Sequence, residues 1–110
     1  MHLGGMEIAA KSNCGTLIHI VMNNGAHESV GGMPVAGGKM DLTAYARAAG
    51  YESVCTVQDE AELRETLRQI NRINGVRFLE IRVALGARAD LGRPTTTPRD
   101  NLRALKEYLV

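Results

Sequence analysis

A pair of asparagines and a glycine, Asn23-Asn24-Gly25, directly follow a run of mostly apolar residues at positions 16–22. Side-chain amide oxygens and loop carbonyls are neutral, hard oxygen ligands, which Mg²⁺ prefers. Gly25 allows the backbone to turn sharply and to present a carbonyl to the same ion. The pattern is compatible with a magnesium site at the end of a strand. For these three residues alone, an asparagine-rich turn without metal is the simpler interpretation.

Two residues that can move protons, His27 and Glu28, lie just beyond this turn. Histidine exchanges protons near neutral pH and often serves as a general acid or base. Both residues are candidate catalytic groups, in proton transfer or in holding a substrate, and the alternative is a solvated polar turn. His19 lies within the apolar run and is predicted to be a hydrogen-bonded core histidine instead.

The stretch from residue 17 to residue 34 resembles the closing half of the thiamine diphosphate motif, which opens with Gly-Asp-Gly and closes with an asparagine pair after an apolar strand. Its continuation, His-Glu-Ser at 27–29 and Gly-Gly-Met-Pro at 31–34, is similar to that of the phosphonopyruvate decarboxylase family. Leu-Gly-Arg-Pro at 91–94 and Thr-Pro at 97–98 also resemble that family. The resemblance therefore covers nearly the whole chain.

The resemblance implies a cofactor and a role for each residue of the turn. Asn24, through its side-chain oxygen, and Ala26, through its backbone carbonyl, would bind Mg²⁺, which joins the diphosphate of thiamine diphosphate to the protein. Asn23 and Gly25 would complete the cofactor-binding turn, with Asn23 as a positioning residue. The implied fold is the three-layer α/β thiamine diphosphate-binding fold with a parallel sheet, present here in part.

The implied reaction is the decarboxylation of phosphonopyruvate, a small 2-oxo acid, to phosphonoacetaldehyde and CO₂. A subunit of sulfopyruvate decarboxylase, a close relative, is one alternative. The other belongs to a different class, a non-catalytic flavodoxin-like binding domain whose asparagine turn holds no metal.

Gly-Asp-Gly does not occur in the 110 residues. The resemblance places it shortly before Met1, and it assigns the glutamate that activates the cofactor to a separate N-terminal domain. We therefore expect residues 1–110 to be the C-terminal part of a thiamine diphosphate-binding domain, inactive without the rest of the decarboxylase. A truncated piece, a gene fragment and one part of a split enzyme are all compatible with this expectation, and the upstream reading frame would distinguish them.

Composition limits the other classes of function. The net charge is +1, and the basic residues are scattered, so no surface for binding nucleic acid or membrane is predicted. Aromatic residues, on which single-stranded nucleic acid could stack, make up only 4% of the chain. Two distant cysteines and the lack of an apolar leader favour the cytoplasm. Arg88 and Arg93 flank a glycine-containing loop, where a surface position is favoured over anion binding.

The elements that must position the turn alternate between helix and strand, which predicts an α/β fold with a parallel sheet. Strands are predicted at 16–22, 52–57 and 76–85. Helices are predicted at 5–12 and at 42–49, the second capped by Asp41. A third helix follows its cap Asp59, and a fourth begins at Thr97-Pro98. Residues 23–39 and 86–96 are predicted loops.

Two predictions concern packing. The run at 16–22 lacks alternation and is predicted to be buried on both faces with neighbours on both sides, which implies further strands upstream. Leu102, Leu105 and Leu109 are predicted to line the inner face of the last helix. A sheet with an open edge tends to self-associate, so a homo-oligomer is expected.

Overall fold

The computed structural model describes residues 3–12, 14–35 and 39–109. Four α-helices are present in this part of the chain: α1 (Gly4–Ala10), α2 (Leu42–Ala49), α3 (Glu60–Ile70) and α4 (Pro98–Tyr108). The strands are β1 (Ile18–Asn23), β2 (Ala26–His27), β3 (Met33–Pro34), β4 (Ser53–Val57) and β5 (Arg77–Arg82). A 3₁₀ turn, Glu28–Val30, joins β2 to β3.

The main sheet has the order β1-β5-β4, and both of its strand pairs are parallel. Glu80 in the central strand lies in register with Val21 on one side and Thr56 on the other. The short strands β2 and β3 form a separate antiparallel pair. The α/β fold with a parallel sheet is therefore confirmed, and the predicted loop at 23–39 contains this small hairpin.

Helices cover both faces of the main sheet, which makes three layers. Phe78 and Leu79 are neighbours in β5 and therefore point to opposite faces. Phe78 packs in a cluster with Met6 of α1 and Ala46 of α2. Leu79 packs against Ile70 of α3 on the other side. The sheet thus forms the middle layer, with α1 and α2 on one side and α3 on the other.

Local signals set the helix starts. The Asp41 side chain accepts a hydrogen bond from the Ala44 N–H, and α2 ends at Gly50 with a φ of 100°. Asp59 caps α3 in the same way, although the Glu62 carboxylate accepts from the N–H of residue 58 instead of the capping residue. Thr97 and Asp100 form a reciprocal capping box at the start of α4.

Two packing predictions are wrong for the described residues. β1 is predicted to be buried on both faces, but Met22 is 61% exposed. Among the described strands β1 pairs with β5 alone, and the further strands expected upstream would lie outside the described residues. The buried central strand of this part of the chain is β5, and a run of apolar residues does not reveal the place of a strand in the sheet. Leu102, Leu105 and Leu109 are exposed, since α4 packs against no other element strongly enough to cover them.

The Asp41 cap gives a pH dependence. The Ala44 N–H, and secondly the Thr43 hydroxyl, lower the pKa of Asp41 below its ordinary value of 3.8. Because the folded-state pKa is depressed, the stabilisation is present above about pH 3.8 and is lost as the pH falls through the folded-state value. Asparagine caps helices about as well as aspartate but does not titrate.

We therefore expect Asp41→Asn to reduce the loss of stability between about pH 6 and about pH 3 without changing the fold. Urea unfolding of both proteins at the two pH values measures this difference. If both proteins lose the same free energy of unfolding on acidification, the carboxylate of Asp41 does not contribute to the pH dependence of stability.

No helix among the described residues is both long enough and apolar enough to cross a membrane.

Candidate functional site

The asparagine turn lies at the carboxyl end of β1, at the edge of the sheet where parallel α/β folds bind ligands. Asn23 is the last residue of β1, and Ala26 is the first residue of β2. The Asn23 Oδ1 accepts from the Gly25 N–H at 3.0 Å, and the Asn24 Oδ1 accepts from the Ala26 N–H at 3.1 Å. Gly25 has a φ of 71°, which glycine adopts without strain. The turn therefore orients both amide oxygens towards its own backbone.

A carboxylate holds the nitrogen of each amide. The Asn24 Nδ2 donates to Glu28 Oε2 at 2.6 Å, and the Gly86 N–H donates to the other oxygen of Glu28. The Asn23 Nδ2 donates to Glu80 Oε1, also at 2.6 Å. Glu28 thus connects the turn to the chain beyond β5, and Glu80 connects it to the central strand.

Sequence reasoning missed Glu80. Its carboxylate also accepts from the Thr56 hydroxyl at 3.0 Å, and the Arg82 Nε lies 3.8 Å away. The available signal was one carboxylate within the apolar sequence Phe78-Leu79-Glu80-Ile81, because charged residues are rarely buried without a partner. That sequence alone does not say what the partner is.

A cleft of about 740 Å³ opens beside the turn. Its polar wall includes Asn23, Asn24, His19 and His27, and its apolar wall includes residues of α1, β1 and α2. A second cavity of about 300 Å³ is lined by Asn23, Asn24, Gly25, Met40, Glu80, Arg82 and Val83. The asparagine pair therefore lines both cavities.

The two histidines that line the cleft, His19 and His27, differ in their surroundings. The His19 Nδ1 lies 2.7 Å from the Tyr51 hydroxyl oxygen, and the His19 ring packs edge-on against Phe78. Burial raises the pKa of Tyr51 above its ordinary value. The hydrogen bond predicted for His19 is confirmed, but the residue is half-buried and lines the cleft instead of lying within the core. His27 is half-buried in β2 and lines the same cleft.

The two loop arginines lie on the surface, as favoured by the sequence. The Arg88 Nε lies 3.3 Å from Asp90 Oδ1, and both side chains are largely exposed. Arg93 is exposed as well. Neither residue lines the cleft or the second cavity.

The donor set fits part of a divalent-ion site. Asn23 and Asn24 each use one lone pair of Oδ1 for a backbone N–H, and an amide oxygen has two lone pairs. The carbonyl of Ala26 adds a third neutral oxygen at the turn. In residues 3–12, 14–35 and 39–109, no three histidine, cysteine, aspartate or glutamate side chains gather into a metal site. The neutral amide and carbonyl oxygens of the turn are of the kind that a hard cation such as Mg²⁺ accepts as ligands.

Comparison with known proteins gives a family and two relatives. Residues 1–81 match the family model described as thiamine pyrophosphate enzyme, C-terminal TPP binding domain. A phosphonopyruvate decarboxylase of Streptomyces hygroscopicus is 31% identical over 108 residues, which are 98% of this chain and 27% of the relative. Another, of Streptomyces viridochromogenes, is 32% identical over 112 residues, covering 100% of this chain and 28% of the relative. The chain spans little more than a quarter of either relative.

Proposed function

The chain belongs to the thiamine pyrophosphate enzymes, as their C-terminal TPP binding domain, and from this premise we propose the reaction that it serves. It is part of a thiamine diphosphate- and Mg²⁺-dependent decarboxylase that converts phosphonopyruvate to phosphonoacetaldehyde and CO₂. The observation that carries this proposal is the asparagine turn at the carboxyl end of β1, with both amide oxygens fixed beside a cleft of about 740 Å³. Two relatives of that name support the substrate.

Asn24, through its Oδ1, and Ala26, through its backbone carbonyl, would hold Mg²⁺, and Asn23 and Gly25 would shape the turn that presents them. These neutral oxygens would suit an ion that also receives charged oxygen ligands from the cofactor and from the rest of the enzyme. When bound, thiamine diphosphate supplies the electron sink that decarboxylation of a 2-oxo acid requires. The apolar wall of the cleft would reduce the contact of the reacting carbon with water.

His27 and Glu28 are the proposed catalytic residues. Replacing the carboxylate of the substrate by hydrogen requires one proton, and His27 lines the cleft from which an imidazole nitrogen can deliver it. Glu28 is exposed and does not line the cleft, but it follows His27 directly, and its carboxylate is fixed by hydrogen bonds from Asn24 and Gly86. Its proposed role is to help to hold the substrate next to His27.

The remaining groups come from the rest of the decarboxylase. These are the aspartate of Gly-Asp-Gly, as the charged ligand of Mg²⁺, and the glutamate of an N-terminal domain that activates the cofactor. We place the assembled enzyme in the cytoplasm as a homo-oligomer.

A hybrid enzyme tests the proposal. In it, this chain replaces the matching 27% of the Streptomyces hygroscopicus relative. We expect release of CO₂ from phosphonopyruvate only when thiamine diphosphate and Mg²⁺ are both present. A folded hybrid that prefers sulfopyruvate would refute the substrate, and a folded hybrid that binds no thiamine diphosphate would refute the cofactor.

His27→Gln in this hybrid should lower kcat by about 100-fold or more, because a positioned general acid contributes that much. Affinity for thiamine diphosphate should remain unchanged, since His27 is not among the residues that hold Mg²⁺. Steady-state assays and cofactor titration measure the two quantities. Ser29→Ala is the matched control at an exposed neighbouring position, and equal activities for the two variants would exclude His27 from catalysis.

A further inference from the structure

Glu80 is a buried carboxylate that neither the motif nor the proposed reaction uses. Its exposure is 2%, and it lies in the central strand β5. Burying a carboxylate is costly unless other groups donate hydrogen bonds to it. The other buried charged residue of the described chain, Arg77, has a clear structural role, because its Nη1 donates to the carbonyl of Ile70 at the end of α3 and to that of Ile73 just beyond it. Glu80 makes no such helix contact.

The partners of Glu80 lie in the two neighbouring strands, close to the carboxyl edge of the sheet. Asn23 of β1 donates to one oxygen and Thr56 of β4 donates to the other. Arg82 has a largely exposed side chain, and its Nε is 3.8 Å away. The stronger contact is therefore the 2.6 Å bond to Asn23.

A carboxylate fixes the orientation of an amide because an ionised carboxylate accepts hydrogen bonds and cannot donate them. Asn23 must therefore turn its Nδ2 towards Glu80 and its Oδ1 towards the Gly25 N–H. If the amide were rotated by half a turn, an oxygen would face the carboxylate and an NH₂ group would face an N–H. Both contacts would then be repulsive.

We propose that Glu80 is a positioning residue of the metal-binding turn, acting through the amide of Asn23. It selects the amide orientation that closes the turn at Gly25, and the closed turn places Asn24 and Ala26 side by side. The benefit to Mg²⁺ binding rests on the proposed function, whereas the orientation of the turn does not.

The second asparagine repeats the arrangement. Asn24 donates to Glu28 at the same distance of 2.6 Å and accepts from the Ala26 N–H. Glu28 is exposed on the surface, whereas Glu80 is buried. Because buried charges are screened less by solvent, Glu80 should fix its amide more strongly than Glu28 does.

The competing explanation is that Glu80 has a purely structural role and only links the neighbouring strands by hydrogen bonds. The variant Thr56→Val distinguishes this explanation from the positioning role. This variant removes the bond from β4 to Glu80 but leaves the bond to Asn23. In Glu80→Gln, the amide can present oxygen or nitrogen to Asn23, so the orientation is no longer enforced. The double variant Asn23→Asp with Glu80→Gln exchanges the two groups and restores a single orientation, in which the introduced glutamine donates and the introduced aspartate accepts.

The experiment uses NMR of the 110-residue chain without metal. The readouts are the side-chain NH₂ resonances of Asn23 and the hydrogen exchange of the Gly25 N–H, relative to the amides of β5. In Glu80→Gln we expect exchange at Gly25 to accelerate by about tenfold, the factor for a hydrogen bond to a charged group. Thr56→Val should leave the exchange rate of the Gly25 N–H, relative to the amides of β5, at its wild-type value. The double variant Asn23→Asp with Glu80→Gln should return this relative rate to the wild-type value.

Equal acceleration in Glu80→Gln and Thr56→Val, or no acceleration in Glu80→Gln, would overturn the proposal. Mn²⁺ titration of the hybrid enzyme with thiamine diphosphate present, followed by the EPR signal of free Mn²⁺, then tests the metal. In the hybrid, Glu80→Gln should raise the dissociation constant of Mn²⁺ by about tenfold. If the wild-type hybrid binds no Mn²⁺, the proposed metal site fails, while the exchange at Gly25 in the 110-residue chain still decides the role of Glu80.

Discussion

Leu79→Ala should destabilise the fold by about 2–5 kcal/mol, because it removes buried methyl groups and leaves a cavity that the surrounding core fills only in part. Leu79 is 0% exposed and packs between Val57 of β4 and Ile70 of α3. The whole stability of a domain of this size is about 5–15 kcal/mol. The variant should therefore lose a large part of it, which a shift of the urea midpoint at constant slope would measure.

Leu102→Ala is the matched control, since it makes the same chemical change at a leucine that is 53% exposed on α4. The expected change is within about 0.5 kcal/mol, because surface substitutions remove little buried area. A large loss for Leu102→Ala would mean that α4 is covered by another surface in solution. Similar losses for the two variants would contradict the assignment of the core to β5.

The comparison of these two leucines also shows what the sequence can predict about the fold. Helix starts follow from hydrogen bonds between residues three apart, so Asp41, Asp59 and Thr97 were sufficient to find α2, α3 and α4. Burial depends on which element covers a face, and that contact joins residues far apart in sequence. The apolar stripe of α4 and the apolar run of β1 therefore predicted helix and strand correctly but predicted their burial wrongly.

The candidate site also has one part that the sequence predicts and one part that it does not predict. The turn at Asn23 and Asn24 could be predicted because its residues are contiguous and resemble a known motif. Glu80 could not, because it lies 57 residues from Asn23 and meets it only through the register of β1 on β5. The apolar neighbours of Glu80 in the sequence indicate burial, but they do not identify the residue that its carboxylate contacts.

Asn24→Ala should abolish cofactor-dependent activity in the hybrid enzyme described above. It removes the proposed Mg²⁺ ligand. It also removes the hydrogen bonds that the Asn24 side chain makes to the Glu28 carboxylate and to the Ala26 N–H. Loss of outer groups alone weakens metal sites by about 10–100-fold, so loss of a ligand should raise the Mg²⁺ requirement by at least about 100-fold.

The magnesium dependence of the decarboxylation rate, measured at saturating thiamine diphosphate, checks this expectation. Asn74→Ala is the matched control, because Asn74 is exposed in the loop between α3 and β5. The unfolding midpoints of the two variants should differ little, since Asn24 lies at the rim of the sheet and contributes no apolar side chain to either core cluster. An Asn24→Ala hybrid that keeps the wild-type magnesium dependence would remove the asparagine turn from the metal site, and the proposed decarboxylase mechanism would then lose the observation that carries it.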